Sequence, residues 1–338
     1  MKFVILKNLT RTTQNVTDSI RFKENMILRN ITTSNTIITA GSTYLDIDAY
    51  ACCVAMQELL KLKGVDAIAY SNASCNYSVI KSLVQEGKVL TSLPFDLSEV
   101  DAKYVIVDVS DPDYIKDSVP LDKVVQVYDH HVGFEEYWKN RIGDNSQIEF
   151  IGAAATLIYR EWKKLGLEYK MSKTTALLLN AAILDNTLDL TSPITTDEDI
   201  ETYQELCKIA GIEDEWRAVY FSEVQAAIEA DLKNAIFSDI KRISDNEVLP
   251  PNFAQLSIWD AQRILNNLEQ IRQWLEACTG SWMINIIDIK HRLSYFVCDD
   301  TYHQKKLEEV FSIAFQNGIA KSDRAYLRKE IIKKTKFK

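Results

Sequence analysis

The sequence predicts an α/β protein in which a mostly parallel sheet with flanking helices is followed by a smaller α+β domain. Across the first two thirds of the 338 residues, short apolar runs alternate with stretches of helical periodicity, an order that is typical of βαβ units. The last third combines helical stretches with three strand-like runs, which is typical of an α+β domain. We therefore expect two domains, in line with the ~100–200 residues that one domain usually contains.

The elements of the first domain follow in chain order. The predicted strands are residues 36–40, 66–70, 104–108 and 124–127, and the predicted helices are residues 49–62, 152–165 and 174–184. Residues 191–196 then interrupt the helical pattern, and Thr196 with Asp199 forms a capping box that predicts the start of another helix. The first 34 residues form a polar N-terminal extension in which only residues 3–6 resemble a strand.

A change of character near residues 195–215 marks the expected domain boundary. It gives a first domain over residues 35–212 and a second over residues 213–338. The second domain has predicted helices at residues 223–237 and 259–277, and predicted strands at residues 253–258, 282–287 and 293–297. Residues 321–338 carry eight Lys or Arg against two acids, and such a run is usually a solvated tail.

Composition narrows the classes of function. The chain is 46% hydrophobic and 26% charged, which excludes an intrinsically disordered protein. Its net charge of −9 disfavours non-specific binding to nucleic acid or to a membrane surface, because both need a positive field. No stretch approaches the ~20 apolar residues that cross a bilayer, and the start lacks a signal-cleavage pattern. Six cysteines without a Cys-x-x-Cys pair predict a cytoplasmic protein without disulfides.

Acidic residues fall where the predicted strands end. They are Asp46 and Asp48 after the first strand, Asp108 at the end of the third, Asp129-His130-His131 after the fourth, and Asp185 at the end of a helix. Ligands of open α/β sheets bind just beyond the carboxyl ends of the strands. We therefore expect these side chains to converge on one edge of the sheet.

An edge of carboxylates without counter-charge is electrostatically unfavourable, and one or two divalent cations would neutralise it. Carboxylate and imidazole ligands suit Mn²⁺, Mg²⁺ or Co²⁺, and a two-metal site activates water for in-line attack on phosphorus. Each residue taken alone also has a structural interpretation. Asp46 or Asp48 would cap the helix that follows, and a His-His pair is commonly a surface or core feature.

Six motifs, in a fixed order, resemble those of the DHH phosphoesterase superfamily. They are VDVSD, DHH, IGAAATLIYREW and AAILDNTLDLTSPITTDED in the first domain, then AIFSDIK and AYLRKEII in the second. The last two resemble the Asp-x-Lys segment and the closing Ser-Arg-Lys motif of a DHHA2 domain. The resemblance covers about residues 35–338 and points to the DHH–DHHA2 group, which contains family II inorganic pyrophosphatases and the exopolyphosphatase/prune branch.

The resemblance implies a metal-dependent hydrolase of pyrophosphate or short polyphosphate, in which a metal-bound hydroxide attacks in the interdomain cleft. Two divalent ions, Mn²⁺ or Mg²⁺ with Co²⁺ as an alternative, are the implied cofactors. The implied metal ligands are Asp46, Asp48, Asp108, His130 and Asp185, with Asp108 bridging both ions. His131 would contact the substrate and orient or protonate the departing phosphate, while Lys241, Arg328 and Lys329 would hold the phosphoryl oxygens of this small anionic partner.

Three positions depart from the family pattern. Ser42 stands where the pyrophosphatases have a histidine, Asn186 stands where the fourth aspartate is expected with Asp185 one residue early, and Leu327 replaces a serine. Two alternatives therefore stay open. One is a DHH-type phosphodiesterase acting on short oligonucleotides or cyclic dinucleotides, and the other is a non-catalytic scaffold with an eroded site. A homodimer is also left open.

Overall fold

The structure is a computed structural model that describes residues 35–41, 45–71, 73–84, 89–90 and 101–336. The N-terminal extension, its strand-like residues 3–6, and Ser42 lie outside the described residues. The chain divides into two compact units. The first combines Met1–Asn76, Leu83–Ala182 and Glu201–Gly211, and the second combines Tyr77–Ser82, Ile183–Ile200 and Ile212–Lys338. The single boundary between residues 212 and 213 stays a prediction.

The sheet of the first unit is parallel throughout. Its strands are β1 (Thr36–Thr39), β2 (Ala67–Tyr70), β3 (Val89–Leu90), β4 (Lys103–Val107), β5 (Val124–Asp129) and β6 (Ser146–Ile148). They are arranged in the order β3-β2-β1-β4-β5-β6, and β1 pairs with both β2 and β4. The chain builds outward from β1 to β3 and then returns to build the other half from β4. The carboxyl ends of β1 and β4 therefore flank the topological switch point, where open α/β sheets bind ligands.

Helices connect these strands and continue beyond the sheet. Their bounds are α1 (Ile47–Leu62), α2 (Pro112–Ile115), α3 (Glu135–Ile142), α4 (Ala154–Lys164), α5 (Lys173–Asn186) and α6 (Asp197–Ala210), with short 3₁₀ turns at Leu121–Lys123, Gly143–Asn145 and Glu168–Lys170. The predicted capping box is confirmed: Asp199 Oδ2 accepts from the Thr196 backbone N–H at 2.8 Å, and Thr196 Oγ1 accepts from the Asp199 N–H at 3.3 Å. These bonds satisfy N–H groups that the first turn of α6 leaves unpaired.

The second unit contains a mixed sheet. Its strands are β7 (Lys241–Arg242), β8 (Asn252–Ile258), β9 (Trp282–Asp288), β10 (Leu293–Cys298), β11 (Phe315–Gln316) and β12 (Ile319–Lys321), and its helices are α7 (Glu215–Ala230), α8 (Leu232–Asp239), α9 (Gln262–Leu265), α10 (Leu268–Leu275), α11 (Thr301–Phe311) and α12 (Arg328–Thr335). The order is β11-β12-β10-β9-β8-β7, and only the β8–β9 pair is parallel. The predicted α/β domain followed by an α+β domain is thereby confirmed.

Two predicted helices are each broken in the structure. The helix expected at residues 223–237 is divided into α7 and α8 at Asp231, whose backbone angles of φ −142° and ψ 50° are not helical. The helix expected at residues 259–277 is divided into α9 and α10 around Asn267, whose amide donates to the Arg263 carbonyl at 2.9 Å. Asn and Asp compete with the helical backbone for hydrogen bonds, so periodicity alone does not reveal these breaks.

The basic C-terminal segment is also more structured than predicted. Instead of a solvated tail, residues from Arg328 form α12, and Ile331 on this helix is fully buried. Lys333 and Lys334 lie on the exposed side of this helix. Among the described residues, no helix combines the length and the apolar character that crossing a membrane demands.

Candidate metal centre

Asp108 lies at the switch point, directly after β4. Its backbone adopts a left-handed conformation with φ of 58°, which Asp tolerates better than most residues that carry a side chain. The backbone N–H of Asp108 still donates to the Tyr128 carbonyl of β5 at 2.8 Å, so the residue is held at the end of the sheet. The side chain is 7% exposed, and its Oδ1 has no hydrogen-bond donor among the described residues.

His130 places one of its ring nitrogens next to Asp108 Oδ1. Its Nδ1 lies 3.2 Å from the Ile151 carbonyl, and a carbonyl only accepts, so Nδ1 carries the proton. The other ring nitrogen, Nε2, is then unprotonated in the neutral imidazole and lies 3.5 Å from Asp108 Oδ1. Two acceptors that face each other require a proton or a cation between them. Ligands about 2.1 Å from a shared metal ion lie about 3–3.5 Å apart, so the observed spacing suits a cation.

His131 is oriented differently. Its backbone N–H and its Nδ1 both bond to Asp129 Oδ1, at 3.0 and 2.8 Å. Asp129 is completely buried, whereas the His131 side chain is 58% exposed. A buried carboxylate that accepts from Nδ1 fixes the tautomer of the ring and stabilises its protonated form. Proton exchange would then take place through Nε2.

A neighbouring hydrogen-bond chain fixes the loop that carries these histidines. Ser110 Oγ donates to the backbone carbonyl of His131 at 3.1 Å. The Ser110 carbonyl in turn accepts from Nε1 of the fully buried Trp138 at 2.6 Å. The loop after β4 is therefore tied to the loop after β5, which helps to keep His131 in a constant position relative to Asp108.

Asp48 lies on the first turn of α1 and is fully buried. Its two oxygens accept from the backbone N–H groups of Ala154 and Ala155, both at 2.8 Å. These N–H groups begin α4, so a carboxylate sits where the helix dipole favours negative charge. The small residues of the IGAAATL motif are all buried here, which allows the start of α4 to approach α1 closely.

Asp46 confirms one structural interpretation from the sequence, because its Oδ1 caps α1 by accepting from the Ala49 N–H at 3.0 Å. Its carboxylate also lies close enough to Asp108 for its charge to contribute to the raised pKa of Asp108. Capping α1 and facing Asp108 are therefore compatible, since each oxygen of a carboxylate has two lone pairs.

Crowding raises the pKa values of these acids. Burial and then the charge of Asp46 raise the pKa of Asp48 to about 7. Burial is also the main cause of the raised pKa of Asp108, followed by the charges of Asp48 and Asp46, and burial raises the pKa of Asp46. Without a cation the cluster therefore keeps protons near neutral pH, and a divalent ion would replace them. The residues present fit a metal centre.

A second group of possible metal ligands has no carboxylate oxygen that lacks a hydrogen-bond donor. Asp260, Asp288 and His291 also place their ligand atoms within 4.8 Å of one another. All four of their carboxylate oxygens have donors, because Asp288 accepts from the Ala261 N–H and from His291, and Asp260 accepts from the Gln262 N–H and Lys290 Nζ. This group closes the β9–β10 turn and has no orphaned acceptor.

Comparisons with known proteins agree with this site. No family model matches the chain. It is 24% identical over 306 residues to a probable manganese-dependent inorganic pyrophosphatase of Exiguobacterium sp., covering 85% of this chain and 93% of that protein. It is 23% identical over 256 residues to a manganese-dependent inorganic pyrophosphatase of Methanothrix thermoacetophila, covering 75% and 80%. The crystal structure of a putative family II inorganic pyrophosphatase from Methanococcus jannaschii has the same fold, with a TM-score of 0.63 at 18% identity, covering 89% of this chain and 98% of that one.

The chain is therefore similar to manganese-dependent inorganic pyrophosphatases over most of its length, in agreement with the resemblance of its motifs to the DHH phosphoesterase superfamily. The Asp129-His130-His131 run that names the superfamily has three separate tasks in this structure. His130 faces Asp108, His131 faces outward, and Asp129 orients His131. Asp129 is the site residue that the sequence interpretation did not assign. The signal was available, because a buried aspartate directly before a histidine is well placed to bond its Nδ1.

The other site residues that the DHH motifs imply lie in the second unit. Asp185 Oδ1 accepts from the Tyr220 hydroxyl at 3.1 Å, and its role as a ligand stays a prediction. Lys241 begins β7, while Arg328 and Lys329 begin α12. The pKa of Lys241 is lowered by partial desolvation and then by the charge of Arg328, so the structure brings these two cations together. Their binding of phosphate also stays a prediction.

We predict that Asp108→Asn stabilises the metal-free protein at pH 8 while abolishing its stabilisation by Mn²⁺. Burial and the charges of Asp48 and Asp46 raise the pKa of Asp108. An aspartate whose folded pKa is raised stabilises the fold while protonated, and this contribution is lost as the pH rises from about 4, the unfolded value, through the raised folded value. The melting temperature of the metal-free wild type should therefore fall over this range relative to the variant. Each kcal/mol corresponds to roughly 2–4 °C in a protein of this size.

Thermal melts of both proteins at pH 5 and pH 8, with EDTA or with Mn²⁺, measure this effect. The wild type should gain stability with Mn²⁺ at pH 8 and the variant should not. An equal gain in both proteins would show that Asp108 is not a ligand.

Proposed function

We propose that this chain is a metal-dependent phosphoanhydride hydrolase that acts on pyrophosphate or short polyphosphate. The observation that carries the proposal is the pair of facing acceptors, Asp108 Oδ1 and His130 Nε2, 3.5 Å apart at the switch point. Such a pair can bind a cation between its two atoms. The outward-facing His131 beside it can transfer a proton. The names of the manganese-dependent relatives support the same reaction.

Two divalent cations, Mn²⁺ or Mg²⁺ with Co²⁺ as an alternative, would supply Lewis-acid activation of water and of phosphoryl oxygens. Asp46, Asp48, Asp108 and His130 would hold them, and Asp185 is a further proposed ligand. In this assignment the backbone N–H groups of Ala154 and Ala155 keep Asp48 in a fixed direction. Ile151 does the same for His130 by accepting from its Nδ1.

His131 would move a proton to the departing phosphate. Hydrolysis breaks one P–O bond, water supplies the new oxygen on phosphorus, and the leaving oxygen gains negative charge that a proton neutralises. Asp129 stabilises the imidazolium form of His131 through the 2.8 Å bond to Nδ1, so the ring is suited to donate from Nε2. Such general acid catalysis typically contributes 10²–10⁴-fold to the rate.

The basic residues of the second unit would bind the anionic substrate. Arg binds a phosphate group through paired N–H donors, whereas Lys acts as a point charge. In this assignment Arg328 supplies the oriented contact, and Lys241 and Lys329 supply charge. The proposal also locates the protein in the cytoplasm, which the free state of its six cysteines supports. A homodimer stays a prediction.

A phosphate-release assay tests the proposed reaction. We expect the purified protein to release phosphate from pyrophosphate or tripolyphosphate with Mn²⁺ or Mg²⁺, and to release none with EDTA. A dinucleotide should not be cleaved. Cleavage of the dinucleotide alone would favour the phosphodiesterase alternative. Release from none of these substrates, together with no Mn²⁺ binding in a titration, would leave only the scaffold.

His131→Gln should lower kcat for pyrophosphate about 100-fold or more and leave Mn²⁺ affinity nearly unchanged, because the proton donor is lost while the acceptor pair at Asp108 is kept. His291→Gln is a matched control. His291 is 52% exposed and bonds through Nδ1 to the buried Asp288 at 2.9 Å, so the same substitution removes the same type of contact. Activity that falls equally in both variants would contradict a catalytic role for His131.

Lys241→Ala should raise KM for pyrophosphate about tenfold without weakening Mn²⁺ binding, since a charged hydrogen bond to phosphate is worth roughly 1.5–3 kcal/mol. Lys305→Ala, on the exposed side of α11, removes the same charge from the same unit and should leave KM unchanged. Steady-state kinetics and Mn²⁺ titration of both variants measure this. An unchanged KM in Lys241→Ala would remove this residue from the substrate contacts.

A further inference from the structure

Arg328 is held by a neighbour that the proposed function does not use. Asp239 is the last residue of α8, two positions before Lys241, and Arg328 is the first residue of α12. The Arg328 side chain is only 13% exposed, which is unlike a solvated basic surface. Both residues belong to the second unit, so their arrangement is a property of that unit by itself.

The two side chains form a bidentate ion pair. Arg328 Nη1 donates to Asp239 Oδ2 at 2.5 Å and to the Asp239 backbone carbonyl at 2.9 Å, and Nη2 donates to Oδ1 at 3.1 Å. Paired N–H donors on a carboxylate fix the plane of the guanidinium as well as its position. The carboxylate therefore occupies the Nη1/Nη2 end of the group.

Gln255 on β8 forms a hydrogen bond to each member of the ion pair. Its backbone N–H donates to Asp239 Oδ2 at 2.7 Å, and its side-chain Oε1 accepts from the Arg328 backbone N–H at 2.6 Å. The fully buried Asn285 donates to the same Oε1 at 3.2 Å, which determines which way the Gln255 amide faces. Both ends of the ion pair are therefore tied to one strand of the sheet.

This arrangement leaves one edge of the guanidinium for a ligand. Arg has five N–H donors, and the contacts with Asp239 use the two on Nη1 and one on Nη2. Among the described residues, no acceptor takes the Nε–H or the second Nη2–H of Arg328. These two donors lie side by side, and together they match two oxygens of a phosphate group.

We propose that Asp239 is a positioning residue for anion binding: it holds the Nη1/Nη2 end of Arg328, so that the Nε/Nη2 edge is presented to one phosphate group of the substrate. This inference rests on the proposed function, because it deepens the role assigned there to Arg328. It differs from a simple electrostatic account in the sign of its effect. A carboxylate beside an anion site weakens anion binding by its charge alone, whereas a carboxylate that orients the binding group strengthens it.

The test is a double-mutant cycle on pyrophosphate binding, measured by calorimetric titration in EDTA so that no turnover occurs. Asp239→Asn should weaken binding about tenfold even though it removes a negative charge. In an Arg328→Ala background the same substitution should change affinity by less than twofold, because the group that it orients is gone. Glu229→Gln, which removes a carboxylate paired with Arg263 in the same unit, should leave affinity within twofold of the wild type.

Two outcomes would overturn the inference. One is pyrophosphate binding by Asp239→Asn that is as tight as in the wild type or tighter, as charge alone would give. The other is an equal loss with and without Arg328, as a general structural effect would give. Circular dichroism verifies folding of each variant. If Asp239→Asn does not fold, Asp239→Glu decides, because it keeps the charge and displaces the carboxylate by one methylene. We expect at least a threefold loss, and unchanged affinity would reject the proposal.

Failure of this inference is distinguishable from failure of the proposed function. A wild type that binds pyrophosphate without hydrolysing it when Mn²⁺ is added, and an Asp239→Asn variant that binds it more weakly, would reject the function and keep the positioning role. A wild type that hydrolyses pyrophosphate, together with an Asp239→Asn variant of wild-type affinity, would keep the proposed function and reject the positioning role. A wild type that neither binds pyrophosphate in EDTA nor hydrolyses it when Mn²⁺ is added would reject both.

Discussion

The first unit depends on a concentration of buried negative charge at the switch point between β1 and β4. Carboxylates that follow different strands are buried close together. Burial and the charge of Asp46 raise the pKa of Asp48 to about 7, and burial with the charges of Asp48 and Asp46 raises the pKa of Asp108. Such a cluster must hold protons or cations, because desolvated like charges repel each other strongly. Two surrounding contacts fit this requirement: the N-terminus of α4 faces Asp48, and Nε2 of His130 lies 3.5 Å from Asp108 Oδ1.

Orphaned acceptors distinguish this centre from an ordinary acidic cluster. Asp108 keeps a buried Oδ1 without a hydrogen-bond donor among the described residues, which is unfavourable unless a proton or a cation binds there. The group of Asp260, Asp288 and His291 has a similar composition, yet each of its carboxylate oxygens has a donor. Ligand types and spacing are therefore insufficient to define a site. The two clusters differ in whether every carboxylate oxygen has a hydrogen-bond donor.

In the second unit, by contrast, the mostly buried cation Arg328 already has an anionic partner. Arg328 is paired rather than left bare, and the pairing with Asp239 and Gln255 determines its direction. A paired arginine with one edge remaining is a more selective anion ligand than a mobile lysine, because its donors are already in place before the anion arrives. The charge of Asp239 reduces the positive potential around Arg328, and Asp239 favours anion binding only because it orients the guanidinium.

The sequence by itself determined the fold class, the strands that precede Asp108 and Asp129, and the resemblance to DHH phosphoesterases. These features are carried by local periodicity and by short motifs, which need no knowledge of the packing. It did not determine the break at Asp231, where the backbone angles leave the helical region, or the break at Asn267, whose side chain donates to the Arg263 carbonyl. Only the tertiary structure decided that Asp129 orients His131, and that a basic segment near the C-terminus is a helix. Those outcomes depend on which donors and acceptors lie opposite one another across separate strands and helices, and a linear pattern carries no information about that.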